Sequence, residues 1–217
     1  MFDWQILVAN QHLLWYGLLT TIKYTIVTSL AGLAIGLLVA VGQLSRFFAL
    51  RAAGRIFVEF FRNIPLLVWL LWSYYALPIF AGINISREMA GVVALSLYVA
   101  SYYAEIFRAG IQSIDRGQFD AARAMGMSDG QAMRRIILPQ AVRRMVPPLS
   151  GQTIIQMKNT TLLSVITIPD LLYQASYISS FTYKPMEVYT AVGLVFLVIL
   201  IPLTWIARRL EHRQEGR

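Results

Sequence analysis

The sequence predicts an all-α polytopic membrane protein with five transmembrane helices and a helical loop on the cytoplasmic side. Three observations carry this. The 217 residues are 57% hydrophobic and only 14% charged, with a mean hydropathy of +0.58. A soluble domain of this length carries about a quarter charged residues, so lipid is the main solvent. Five stretches approach or exceed the roughly 20 apolar residues that a spanning helix needs. The basic residues, finally, sort to alternate ends of those stretches.

The five stretches are Leu14–Leu44, Ile56–Phe80, Met89–Ile111, Met145–Ile168 and Val188–Ala207. The first is long enough to tilt or to extend past the bilayer. Between the third and fourth lies a polar segment, Asp115 to Arg144, that cannot span. One side of the membrane receives Arg46, Arg51 and Arg55, then Arg108, Arg116, Arg123, Arg134, Arg135, Arg143 and Arg144, then Arg208, Arg209, Arg213 and Arg217. That side holds 14 of the 19 Lys and Arg residues; the other receives Arg87 and Lys184, and Lys23, Arg62 and Lys158 fall within spans. The positive-inside bias puts the N-terminus outside and the C-terminus in the cytoplasm. The first eleven residues carry Asp3 and no Lys or Arg, so the positive n-region of a cleavable signal peptide is missing and the first span is expected to stay. No repeat, low-complexity tract or linker divides the chain, and residues 1–217 are expected to form one transmembrane domain with its loop at about 115–144.

Other classes are excluded on chemistry. A pI near 10 and a net charge of +8 suit a nucleic-acid binder, but the cations lie between apolar runs and no nucleic-acid partner is expected. The absence of cysteine removes disulfides and thiolate metal sites. His12 and His212 stand at opposite ends without a ligand set, so no metal site is expected. There is no GxxxxGK[ST] phosphate loop and no Gly-Lys pair, so nucleotide chemistry has to come from a partner.

Gly32 and Gly36, with Ala40 one turn on, make a small-residue face that permits close helix approach. Packing within one subunit and a dimer seam are both open. Prolines 65, 147, 148 and 202, in or at the ends of spans, mark helices that kink against protein.

The loop Gln118–Pro139 reads QFDAARAMGMSDGQAMRRIILP. It predicts a short helix from Asp120 to Met125, a break at Gly126, a turn at Ser128–Gly130 and a second helix stopping near Pro139. Ser128 or Asp129 is its N-cap. Asp120 and Arg123 are spaced to pair, and Ala121, Ala122, Met125 and Met127 offer a small apolar surface. Such a helix suits either a partner's groove or a lipid surface.

Asp120-Ala121-Ala122, three residues, Gly126, nine residues, Ile136, one residue, Leu138-Pro139 resembles the EAA loop of ABC importer permeases. It departs from that pattern at the first position, where Asp replaces the usual Glu. Glu59–Leu67 (EFFRNIPLL), Tyr102–Ile111 (YYAEIFRAGI) and Lys158–Leu162 (KNTTL) resemble the polar amino-acid branch, with glutamate/aspartate permeases as the nearest group. The resemblance covers about Leu18 to Arg209. It implies a type I ABC importer permease fold in the bacterial cytoplasmic (inner) membrane, and a second permease subunit, a copy or a paralogue. It also implies cytoplasmic ATP-binding subunits that hold the ATP and Mg, and an extracytoplasmic substrate-binding protein. By the same resemblance Asp120, Ala121, Ala122, Arg123, Met125 and Gly126 dock on the ATPase.

The fourth span holds the densest polar set: Gln152, Gln156, Lys158, Asn159, Thr160, Thr161 and Ser164. Gln152, Gln156, Asn159 and Thr160 share a helical face about 100° wide. That stripe faces either a substrate path or another helix, and polar groups at this depth are functional candidates. Lys158 lies roughly opposite, so it either reaches a cavity through a backbone break or pairs with an acid elsewhere; facing a cavity, it favours an anionic substrate. Asn63-Ile64-Pro65 is expected to interrupt the second span near the path. Glu59 and Arg62 are spaced to pair. Tyr98, Tyr102 and Glu105 share a face, with Tyr102 a candidate substrate contact and Glu105 a structural partner of Arg108. The competing class is an ion-gradient-driven secondary transporter, but neither paired repeats nor a mid-depth carboxylate is present. A helper subunit has no use for the polar fourth span, and a channel lacks its pore loop.

Overall fold

The structure, a computed structural model, describes residues 4–82 and 84–215. Asp3 and Arg217, which enter the charge reading, lie outside the described residues, as do the side chains of His212 and Arg213. In chain order the helices are α1 (Gln5–Ala9), α2 (Gln11–Leu44), α3 (Phe48–Asn63), α4 (Leu66–Leu71), α5 (Leu77–Ala81), α6 (Arg87–Gln112), α7 (Arg116–Ala124), α8 (Asp129–Ala132), α9 (Leu138–Asn159), α10 (Leu171–Thr182) and α11 (Pro185–Glu215). π turns over Trp72–Ala76 and Met133–Ile137 join α4 to α5 and α8 to α9, and a 3₁₀ turn over Thr160–Ile166 follows α9. No strand occurs among the described residues.

The central packing is α2 against α6, and its cause is the small-residue face. Gly32, Gly36 and Ala40 are buried there, and α6 answers with Ala100 and Ala104. A Cβ added at Gly36 would sit 2.8 Å from the Ala100 carbonyl oxygen and 2.9 Å from the Tyr103 Cβ. Only a glycine lets the two backbones come that close. Of the two readings of this face, packing within the subunit is the one observed. The hydroxyls of α2 are satisfied locally: Thr21, Thr25 and Thr28 donate to the carbonyls of Gly17, Thr21 and Tyr24, at 2.7–3.0 Å.

Three described helices are long and apolar enough to cross a membrane: α2, α6 and residues Pro185–Arg209 of α11. The second expected span is not one rod. Phe48–Asn63 and Leu66–Phe80 pass the same test only as a pair, bent by 102°. The reason is local. A residue before proline is pushed out of the helical region, and Ile64 takes φ −92°, ψ 127°, followed by Pro65 at ψ 133°. α3 therefore starts eight residues before the expected span and carries Arg51 and Arg55 with exposed Phe48, Ile56 and Phe60, the pattern of a helix lying along an interface.

The expected fourth span becomes α9 plus the 3₁₀ turn. Its amides and charges keep it out of the set that passes on length and apolarity. The helix also does not stop near Pro139, as the sequence suggested. A regular helix would drive the Pro139 ring against the Arg135 carbonyl; the π turn at Met133–Ile137 widens the backbone just before it, and α9 runs on through Pro147 and Pro148. Buried Tyr24, Leu70, Leu95, Leu163, Ile166 and Ile168 tie α2, α4, α6 and the 3₁₀ turn into one core. Ile114, Ile137, Ala141 and Met145 form another at the arginine-rich end. Exposed apolar side chains such as Leu38 (72%) and Val198 (73%) line the outside of α2 and α11, as a lipid-facing or partner-facing surface requires.

Candidate functional site

Two sites bear on function, and the loop is the better formed. α7 begins at an N-cap, Asp115, whose carboxylate accepts the Gly117 N–H at 2.6 Å. It ends in a Schellman motif. The Met127 N–H donates to the Ala122 carbonyl (3.0 Å) and the Gly126 N–H to that of Arg123 (2.9 Å). Gly126 takes φ +78°, the left-handed conformation that such an ending needs. The next helix starts at once: Ser128 is the N-cap, its hydroxyl accepting from the Gln131 N–H and the Gln131 side chain accepting from the Ser128 N–H (3.0 Å). The expected turn at Ser128–Gly130 is thus the cap and first turn of α8.

Two details of the loop differ from the sequence reading. Arg123 pairs with Asp129 at 3.0 Å rather than with Asp120, because the Schellman reversal carries Asp129 back beside the end of α7. Ala122 is fully buried. It anchors α7 to the loop instead of contributing to the outer surface. What α7 presents is Asp120, Ala121, Arg123 and Met125, the last 65% exposed.

The polar stripe of α9 is largely turned inward. Gln152, Gln156 and Thr160 are buried and Asn159 is half-buried. The Gln156 amide donates to the Thr28 hydroxyl at 3.0 Å and to the Leu95 carbonyl at 3.4 Å, so it knits α9 to α2 and α6. The Asn159 side-chain amide donates to the Gln156 side-chain oxygen Oε1 at 3.4 Å, and the Thr160 hydroxyl donates back to the Met157 backbone carbonyl at 2.7 Å. Below this knot the Tyr103 hydroxyl and the Thr153 hydroxyl share a hydrogen bond of 2.8 Å.

Tyr102 points elsewhere. Its hydroxyl is 3.1 Å from that of Tyr98, and the Arg62 guanidinium lies 5.0 Å from its ring centre. Arg62 therefore does not pair with Glu59. The Glu59 carboxylate instead accepts from Asn63 at 2.9 Å, and the same amide donates to the Glu59 carbonyl at 2.8 Å. Asn63 and Ile64 consequently form the break itself, with the Asn63 side chain folded back on α3. Glu105 pairs with Arg108, as its spacing suggested. Lys158 is exposed and lines a cleft of about 480 Å³ with Thr204, Trp205 and Arg208 of α11. It makes none of the ion pairs found among the described residues.

Sequence reasoning missed two groups. Thr28, the partner of Gln156, is one of several hydroxyls in an apolar span, and nothing in its own neighbourhood distinguishes it. Asp170 is wholly buried in the loop before α10, outside the spanning helices. One carboxylate oxygen accepts the Tyr173 N–H at 2.8 Å, the other has no partner, and burial pushes the group up to about 7. An Asp before an apolar run is a helix-start signal and could have found it.

The sequence model of a family described as "Binding-protein-dependent transport system inner membrane component" matches residues 32–216. The chain is 40% identical over 210 residues to the protein named "Probable glutamine ABC transporter permease protein GlnM" of Bacillus subtilis, covering 97% of each. It is 38% identical over 219 residues to "Glutamate/aspartate import permease protein GltK" of Escherichia coli O6:H1, covering 98% of each. A crystal structure described as an amino acid ABC transporter with histidines contains a chain that superposes with a TM-score of 0.93 at 35% identity, over 98% of this chain and 99% of that one. With an all-helical fold, a capped loop helix and a polar seam already in place, the chain belongs to the inner-membrane components of binding-protein-dependent transport systems, as an amino-acid ABC importer permease and not an enzyme.

Proposed function

We propose that this chain is one of two permease subunits that carry a polar, acidic-type amino acid inward across a bacterial cytoplasmic membrane. An extracytoplasmic binding protein delivers the cargo, and ATP with Mg is hydrolysed on separate cytoplasmic subunits. The arginine-rich end faces the cytoplasm and the N-terminus lies outside. The observation that carries the reading is α7: a short helix fixed at both ends, anchored by Ala122, that holds Asp120, Ala121, Arg123 and Met125 out to solvent. A rigid tip with an adaptable methionine fits a partner's groove. Closure of the ATPases then pushes α7, and α9 transmits the push because α8, the π turn and α9 run as one connected helical segment.

In this reading the path runs past the break at Asn63 and Ile64, past Tyr102, and along Gln152, Lys158 and Asn159. Gln156 and Thr160 hold the seam behind it. Lys158 and Arg208 place two cations on one cleft, which supports an anionic side chain on the cargo; a relative named for glutamine gives the neutral amide as the comparison. Uptake of glutamate and of glutamine by the complex reconstituted with its ATPase and binding protein tests this. Lys158→Met is expected to lower glutamate uptake about tenfold and glutamine uptake less than about threefold. An equal effect on both, or none on glutamate, contradicts the acidic specificity and leaves a general polar amino-acid permease.

A further inference from the structure

A second polar cleft opens at the arginine-rich end, away from the seam. Its volume is about 330 Å³, and its walls include Gln43 of α2, Arg55 and Glu59 of α3, and Glu105, Arg108 and Gln112 of α6. That volume lies at the lower end of the range for small-molecule sites, about 300–1,000 Å³. Its charges balance: two guanidiniums face two carboxylates. One guanidinium and one carboxylate are used up on one another, and the other two are not. Arg108 is committed to Glu105 and Gln112. Arg55 makes none of the ion pairs among the described residues. Glu59 uses one oxygen on Asn63. Gln43 is 93% buried; its amide nitrogen donates to the Gly54 carbonyl at 3.3 Å, and its carbonyl oxygen is buried without any partner. Buried acceptors in folded proteins almost always have a donor.

A free guanidinium and a half-used carboxylate on the walls of one small cleft are the complement of a zwitterion. We propose that this cleft binds a free α-amino acid from the cytoplasmic side. Its carboxylate lies on Arg55 and its ammonium lies on Glu59. The proposal rests on the import reading and its orientation. Its consequence follows from linkage: a ligand taken up preferentially by the state that has this cleft open holds the permease in that state and slows its return. Cargo that accumulates inside then restrains its own import.

The ammonium of a phosphatidylethanolamine headgroup shares part of this chemistry, so the test separates the two sources. Uptake is measured in proteoliposomes of the complete transporter, made with and without phosphatidylethanolamine and loaded internally with zero to tens of millimolar glutamate. In native complex internal glutamate is expected to slow the initial rate in both lipids. Arg55→Gln is expected to raise the concentration for half-inhibition tenfold or more and to leave the unloaded rate within twofold. Equal inhibition in native and variant, or no inhibition in native, overturns the site. So does an effect of Arg55→Gln confined to vesicles with phosphatidylethanolamine, which assigns the cleft to lipid. Absence of ATP-driven uptake in unloaded native vesicles overturns instead the import reading on which the proposal rests.

Discussion

Gly126→Val is expected to reduce substrate-stimulated ATP hydrolysis by the assembled transporter about tenfold or more, with the complex still intact on gel filtration. Gly126 has φ +78°, where a β-branched side chain is a true outlier. The left-handed conformation costs an ordinary residue about 1–2 kcal/mol, and about 1.4 kcal/mol is a factor of ten in a conformational equilibrium. The loss acts on the hydrogen bonds from Met127 to Ala122 and from Gly126 to Arg123 that end α7. Nothing lies within 4 Å of an added Cβ at Gly126, so crowding inside the chain does not contribute. Two controls separate backbone conformation from mere bulk. Gly126→Asn, which tolerates the left-handed region, is expected to lose less than about threefold. Gly130→Ala has equally open surroundings and no left-handed φ, and keeps native stimulation. Native stimulation in Gly126→Val contradicts the role given to the α7 ending.

The second large effect is on stability. Gln156→Leu removes the donor to Thr28 and to the Leu95 carbonyl in a wholly buried seam. An unsatisfied buried group costs about 1–3 kcal/mol, and interhelical hydrogen bonds in membrane proteins fall toward the lower part of that range, up to about 1.7 kcal/mol. The expected result is a clear fall in the melting temperature of the purified complex. Adding Thr28→Val removes one of the partners left behind, while the Leu95 carbonyl and Asn159 remain. Part of the loss is expected to return, since replacing two bonded groups by apolar ones costs less than stranding one. Thermal unfolding of the two single variants and the double variant measures this. Unchanged stability in Gln156→Leu together with a raised KM for uptake contradicts the seam and turns the amide toward the cargo.

Gln156 also shows how far the sequence can be read. The helical period put Gln152, Gln156, Asn159 and Thr160 on one face, and the structure keeps most of that face buried. Period alone does not say what lies opposite: a path and a second helix demand the same polar stripe. The answer rested on Thr28, 128 residues away in the chain. The Asn63–Pro65 break was legible because proline acts on its neighbour through local sterics, but the 102° angle was not, since it depends on packing at both ends. Pro139 misled in the opposite sense. A proline usually stops a helix, and here the π turn before it absorbs the clash. Asp120 and Arg123 had the right spacing to pair, yet Arg123 found Asp129, because the Schellman reversal brings residues together that linear spacing keeps apart. The existence of the small-residue face of α2, the break at Gly126 and the cap at Ser128 were readable, as each depends on residues a turn or two apart.

Contact between α7 and the ATPase is open to cross-linking. The chain contains no cysteine, so one introduced thiol is unique in it. Met125→Cys, at a 65% exposed position, and Ala121→Cys are treated with a short thiol-to-amine cross-linker in the assembled transporter, with Gly193→Cys on α11 as the comparison. A permease–ATPase adduct is expected from Met125→Cys and Ala121→Cys and none from Gly193→Cys. No adduct from either α7 position in a complex that co-purifies with its ATPase, or an equal yield from Gly193→Cys, contradicts that contact.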